Sequence, residues 1–156
     1  MPEIISLCYQ PAPSLNEPPF RFNRVPADSV NLIANHGIEG DRKARRSSNR
    51  QLNILSYETV QELAEEGYKV APGELGEQIV ISGVDLMTLQ FGERLQIGDS
   101  AIIEIRKPRT PCDWFELIQN KPEEQARGRV GVMAKVLTGG VVRVGDPVTV
   151  LETITA

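Results

Sequence analysis

The residues best suited to chemistry lie in one run, Arg106-Lys107-Pro108-Arg109-Thr110-Pro111-Cys112-Asp113-Trp114-Phe115. Proline suits the first turn of a helix, so a helix is expected to begin near Pro111 or Cys112. Trp114, Phe115, Leu117 and Ile118 then give it an apolar face. Cys112 falls at the N-terminus of that helix, with Arg106, Lys107 and Arg109 just upstream. A helix N-terminus and nearby cations both favour thiolate over thiol. Asp113 acts in the opposite direction. A thiolate is what a metal ligand, a nucleophile or a persulfide carrier requires. The bland alternative is a cysteine serving as a small buried hydrophobe. Cys8, inside the apolar run IISLC, takes that reading.

A second cationic run lies upstream, with Arg42, Lys43, Arg45, Arg46 and Arg50. Together the two runs hold eight of the 17 cations, in a chain of net charge -4. They are either solvated loops or an anion site in which guanidinium groups clamp a phosphate. If the fold joins them, cations surround Cys112. His36 is the sole imidazole, set between Asn35 and Gly37 in a turn-forming sequence. A Cys112/His36 pair is the minimum for thiol-based hydrolysis, but a turn histidine reads more simply as structural or solvated. Asp41 and Glu77 are candidate paired carboxylates, with no spacing that places them together.

The chain has 156 residues, enough for one core, and a single domain over 1–156 is expected. Two cysteines and one histidine exclude a four-ligand zinc site at ordinary spacing and a self-sufficient iron–sulfur cluster. The acidic balance, 21 carboxylates to 17 cations, argues against a general nucleic-acid partner. No apolar run reaches the length of a membrane span and no signal-peptide layout opens the chain, so the expected location is cytoplasmic with free thiols.

These residues are to be positioned by strands. Strands are expected over 4–8, 29–34, 51–55, 78–82, 93–98, 101–106, 131–137, 141–144 and 148–154. Four prolines make 9–24 an irregular loop. Ser56 is a natural helix N-cap, Val60, Leu63 and Ala64 form an apolar stripe, and Gly67 is a stop. Residues 92–99 and 139–146 echo one another and read as two similar hairpins ending in Gly-Asp turns. The fold class is mainly β, barrel-like, with a few short helices.

Several segments in order resemble the MOSC domain, the C-terminal domain type of molybdenum cofactor sulfurases. They are Gly37-Ile38-Glu39-Gly40-Asp41-Arg42, Arg50-Gln51-Leu52-Asn53-Ile54-Leu55 with Glu58, and Pro72-Gly73-Glu74-Leu75-Gly76-Glu77. Gly83-Val84-Asp85-Leu86, Leu95-Gln96-Ile97-Gly98 and Arg109-Thr110-Pro111-Cys112 follow. Gly128 to Leu137, Gly139-Gly140 and Val144 to Val148 close a pattern spanning about 29–150. Lys43, where relatives often have histidine, and Gln78, where many have asparagine, depart from it.

The resemblance implies a β-barrel-like fold and makes Cys112 the family's cysteine, which carries sulfur as a persulfide or ligates molybdenum. It implies the molybdenum cofactor (molybdopterin) as ligand, held by Asp41, Arg42, Lys43, Arg45, Arg50, Glu77, Arg109 and Thr110. The pterin dithiolene already chelates the metal, so one protein thiolate suffices. The family is linked to pyridoxal phosphate-dependent sulfurases, but no pyridoxal phosphate lysine is expected here. The implied activity is sulfur transfer or molybdenum-dependent redox chemistry. Reduction of N-hydroxylated compounds is one alternative, and non-catalytic binding of another anionic ligand is a second. The implied partners are a cysteine desulfurase as sulfur donor, a molybdoenzyme as acceptor, or an electron-transfer protein.

Overall fold

The structure, a computed structural model, describes residues 2–11, 24–41, 44, 48–110, 115 and 119–151. The strands are β1 (Glu3–Tyr9), β2 (Val25–Ala27), β3 (Ser29–Ile33), β4 (Gly37–Ile38), β5 (Leu52–Ser56), β6 (Ile79–Ser82), β7 (Arg94–Ile97), β8 (Ala101–Pro108), β9 (Val132–Thr138), β10 (Gly140–Arg143) and β11 (Val148–Leu151). The α-helix α1 (Tyr57–Glu65) joins β5 to β6. Two short 3-10 turns cover Leu86–Thr88 and Glu123–Ala126. The chain is mainly β, as expected. Eight strands form one sheet in the order β11-β7-β8-β9-β5-β6-β1-β2, and three form another, β10-β3-β4. The sheets are not closed into a barrel.

β5 and β6 are parallel, with Ile54 opposite Ile79. Parallel neighbours need a crossover, and α1 supplies it. Successive strand residues point to opposite faces, so β5 and β6 feed two cores. Leu52, Ile54, Ile79 and Ile81 join the cluster between the sheets, with Val30, Leu32, Ile38 and Val142 of the small sheet. Leu55 and Val80 point the other way, onto Val60 and Leu63 of α1, Tyr68, Leu75, Phe115, Ala126 and Val130. Each fully buried side chain of this size contributes roughly 1.5–3 kcal/mol.

Gly67 ends α1 at a φ of 91°, as its sequence suggests. Two helix details differ. Ala64 is exposed, so the buried stripe is Val60 and Leu63. Ser56 occupies the cap position in extended conformation, but its hydroxyl donates to the Val84 carbonyl at 2.7 Å and accepts from Leu86 N–H at 3.2 Å. It ties the crossover to the segment after β6 instead of capping the helix. The second expected hairpin also fails. β7 and β8 form the first, with Ile97 opposite Ala101. Beyond the second Gly-Asp turn the chain changes sheets: β10 pairs with β3, and β11 with β7. The two turns meet, because Gly98 N–H donates to the Pro147 carbonyl at 2.9 Å.

The start of β1 is bonded to the same corner. Ile4 N–H donates to Asp146 O at 2.9 Å, Gly145 N–H to Ile4 O at 2.8 Å and Val148 N–H to Pro2 O at 3.1 Å.

Candidate functional site

The turn-rich segment between α1 and β6, residues 71–78, is the hub of the site. Gly73 and Gly76 take positive φ, 86° and 83°, which glycine adopts without strain. Gly73 is also pressed against Arg24, whose Cβ would lie 2.8 Å from an added Cβ. The Glu77 carboxylate turns back into this loop and is 3% exposed. Its oxygens accept from Gly73 N–H at 2.9 Å and Leu75 N–H at 3.2 Å. Burial pushes the Glu77 carboxyl up from its usual value, while backbone donors and the guanidiniums of Arg24 and Arg109 pull it back.

Three other parts of the chain fasten to this loop. Gln78 Nε2 donates to the Asp41 carboxylate, and Gln78 Oε1 accepts from Asn53 N–H at 2.7 Å. The other Asp41 oxygen accepts from Gln10 N–H at 3.0 Å. Arg109 is 5% exposed, and its guanidinium donates to the Leu75 carbonyl. Gln119 is 4% exposed. Its Nε2 donates to the carbonyls of Lys69 at 2.9 Å and Glu74 at 3.1 Å, and its Oε1 accepts from Lys69 N–H at 2.7 Å. Asp41 opens the first basic run and Arg109 leads into the second segment, so both begin on one loop. The Arg109 guanidinium lies 5.9 Å from the ring of the fully buried Phe115.

Cys8 lies beneath the loop. It is fully buried, its Sγ donates to Glu77 O at 3.0 Å, and its N–H donates to Gln78 O at 2.8 Å. Burial pushes its pKa from 9.0 to about 12, the Glu77 charge adds to this, and Arg24 opposes it. This thiol stays protonated, in line with the structural role read from its apolar strand. Asp41 and Glu77, which no spacing had paired, both act on it.

The remaining expected residues are distributed as follows. Arg50 and Thr110 are exposed. Cys112, Arg42, Lys43, Arg45, Arg46 and Trp114 lie outside the described residues, as does the expected helix start at Pro111. The two basic runs do touch: Arg106 Nε donates to Asn49 Oδ1 at 2.9 Å, beside Arg50. Arg106 also pairs with Glu104 and stacks over exposed Phe91 at 4.2 Å. His36 sits in the turn between β3 and β4, where it lines a cavity of about 330 Å³ with Ile33, Ala34 and Asn35. Sequence reading missed Gln119, Arg24 and the buried amide network of Gln10, Asn53 and Gln78.

The described geometry defines a class: a mainly β protein in which Asp41, ahead of one cationic run, and Arg109, at the end of the other, are both bonded to one buried loop. The comparisons agree. The family model described as MOSC domain matches residues 41–149, and the chain belongs to that family. The YuaD protein of Bacillus subtilis is similar in structure, with TM-score 0.74 and 25% identity, over 95% of this chain and 94% of that one. YiiM of Geobacillus stearothermophilus matches at TM-score 0.74 and 17% identity, over 97% and 76% of the two chains. YiiM of Escherichia coli matches at 0.66 and 21%, over 99% and 72%. No curated protein matches. The family is linked to molybdenum-cofactor biology.

The described residues fit such a cofactor. Arg109, Arg50 and Lys107 are the described cations of the two basic runs available to an anion, the last two of them exposed. Asn53 Oδ1 is buried without a hydrogen-bond partner and is held in the same amide network. An acceptor of this kind suits the N–H groups of a pterin. Among the described residues no group of three His, Cys, Asp or Glu is placed to hold a bare metal ion; a dithiolene-chelated metal asks for one thiolate, not a cluster. Among the described residues no helix is long and apolar enough to cross a membrane.

Proposed function

We propose that this chain binds the molybdenum cofactor through Cys112 or carries sulfur on Cys112 as a persulfide. The observation that supports it best is the shared anchorage of Asp41 and Arg109 on the 71–78 loop. The basic run after Asp41 and the thiol segment after Arg109 therefore leave from one place. A phosphorylated pterin needs that combination of cations beside one thiolate.

In this reading Arg42, Lys43, Arg45 and Arg50 take the phosphate and Thr110 donates a hydrogen bond. Arg109, already bonded to Leu75, adds positive field where the thiol must ionise. Asp41 and Glu77 act from beneath: their oxygens are taken by Gln78, Gln10 and loop amides, so they hold the binding segments in place. The bound cofactor supplies two-electron redox chemistry at molybdenum. The chain's partners are then a cysteine desulfurase, a molybdoenzyme acceptor or an electron donor, according to which use Cys112 serves, and the compartment is cytoplasmic.

The test is metal and pterin content. Wild type expressed in a cofactor-producing host retains both, and Cys112→Ser loses most of the molybdenum. Equal, near-zero content in the two proteins, together with no persulfide on Cys112 by mass spectrometry, refutes the proposal.

A further inference from the structure

Strands β7, β8 and β9 turn one face to the core and the other away from it. Leu95, Ile103 and Val136 belong to the cluster between the sheets. Alternate residues point to the opposite face. There Arg94, Glu104 and Lys135 stand side by side across the three strands, and cross-strand partners share a face. Ile102 lies on the same side, half-buried and outside both apolar clusters.

In this row one carboxylate meets several cations. Glu104 pairs with Arg106 and, at 3.3 Å, with Arg94, and Lys135 is its neighbour on β9. The Glu104 side chain is only 11% exposed, whereas that of Arg94 is 56% exposed. The carboxylate is therefore tucked beneath its partners and the face is cationic, in a chain of net charge -4.

Arg106 is fixed on three sides. Glu104 takes one NH2 group, Asn49 Oδ1 accepts from Nε at 2.9 Å, and the guanidinium lies 4.2 Å from the centre of the Phe91 ring. Phe91 is itself 66% exposed. Its turn is fastened to β8, because Gly92 N–H donates to Ile105 O and Ile105 N–H to Glu93 O, both at 2.8 Å. The Glu93 carboxylate closes the turn by accepting from Gln90 N–H at 2.8 Å. A ring and a guanidinium already held in place lose little conformational freedom when a partner covers them. Arginine and aromatic side chains are the usual anchors of protein interfaces.

We infer that the outer face of β7, β8 and β9, with Phe91 at its rim, docks a protein partner that presents carboxylates around an apolar side chain. Arg94 and Lys135 take the carboxylates and Phe91 takes the apolar group. Their two strands flank β8, so the backbones stand about 10 Å apart. Residues seven apart on a helix are spaced by about the same length, so an acidic helix fits the row. Glu104 in the middle of the row works against a nucleic-acid backbone, which repels a carboxylate. One ring gives a membrane little apolar area to hold. The face does not involve Cys112, so it stands or falls apart from the cofactor proposal.

The experiment titrates the full chain, labelled with 15N, with an alanine-based helical peptide that carries two glutamates seven residues apart and a leucine between them. At low salt the peptide is expected to shift the amide signals of residues 90–94, 102–106 and 135. Arg94→Gln combined with Lys135→Gln is expected to weaken binding about tenfold, and Phe91→Ser about threefold. None of these side chains is part of an apolar cluster, and Phe91→Ser keeps the test decisive should the double variant fail to fold. Arg143→Gln, which removes an exposed cation of the small sheet, leaves binding unchanged.

No shifts, shifts confined to other surfaces, or equal binding by wild type and the folded variants overturn the inference. So does tighter binding of phosphatidylglycerol vesicles or of a DNA duplex to the same face, which would make it a membrane or nucleic-acid surface. Sedimentation of the chain alone tests the remaining occupant. Self-association that the double variant or Phe91→Ser abolishes means that the face meets a second copy and overturns the inference; a monomer, with the peptide shifts, supports it.

Discussion

Removing the buried thiol of Cys8 should change how stability depends on alkaline pH. Its pKa rises from 9.0 to about 12 on folding. Above pH 9 the unfolded chain releases this proton while the folded chain keeps it. The folded state then binds more protons, so stability falls as pH rises, at up to about 1.4 kcal/mol per pH unit. The loss begins near pH 9 and levels off near pH 12. At pH 10 the single thiol accounts for about 1.4 kcal/mol relative to pH 7, or a drop in Tm of roughly 3–6 °C for a domain of this size. Cys8→Ala removes the titration. It also removes the Sγ–H bond to Glu77 O and leaves a small void, but these costs are the same at every pH. Urea unfolding of both proteins at pH 7, 8, 9 and 10 isolates the effect, because all other titrating groups cancel in the difference. The variant should lose about 1.4 kcal/mol less than wild type between pH 7 and pH 10. Parallel stability curves would mean that the thiol ionises as readily in the folded chain as in the unfolded one, and would refute the reasoning.

Two further substitutions probe the anchors of the site. Gly131 has a φ of 88°, and an added Cβ would collide with the Ile54 carbonyl oxygen. Gly131→Ala should therefore cost more than about 2 kcal/mol in thermal unfolding, and a cost within error of zero would contradict the close β5–β9 approach. Phe115→Ala empties a fully buried site in the cluster beside α1 and should cost about 3–5 kcal/mol in urea. A loss under about 1 kcal/mol would show that this ring does not hold the segment down.

Nine of the eleven described strands (all but the short β2 and β4), α1 and its stop at Gly67 were readable because each depends on neighbours in the chain: apolar period, turn glycines and β-branched runs. So was the inert character of Cys8, which follows from its place in an apolar strand. What escaped reading depends on distant partners. Gln119 reaches Lys69 and Glu74, 50 and 45 residues away, and Gln78 reaches Asp41 across 37. A glutamine in sequence looks like any surface glutamine. Only burial forces its amide to find three partners. Ser56 illustrates the same limit: its position is that of a helix cap, yet Val84 and Leu86 claim its hydroxyl. The second Gly-Asp echo misled because a turn motif fixes a bend, not the strand that the chain pairs with afterwards.

The corner at Ile4 bears on how this protein is made. Synthesis delivers β1 before β2 and β6, the strands it pairs with in the large sheet. The chain at its start, however, bonds to Asp146, Gly145 and Val148, which are synthesised much later. Closing so long a loop is slow, since the entropy must be spent before the contacts form. Until then the first strand has a frayed end and β7 lacks its partner β11. A chain truncated before residue 145 should therefore be cut by proteases faster at β1 and β7 than the chain of 156 residues. The hydrogen bonds that join residues 2–4 to residues 145–148 therefore make β1 depend on the turn before β11.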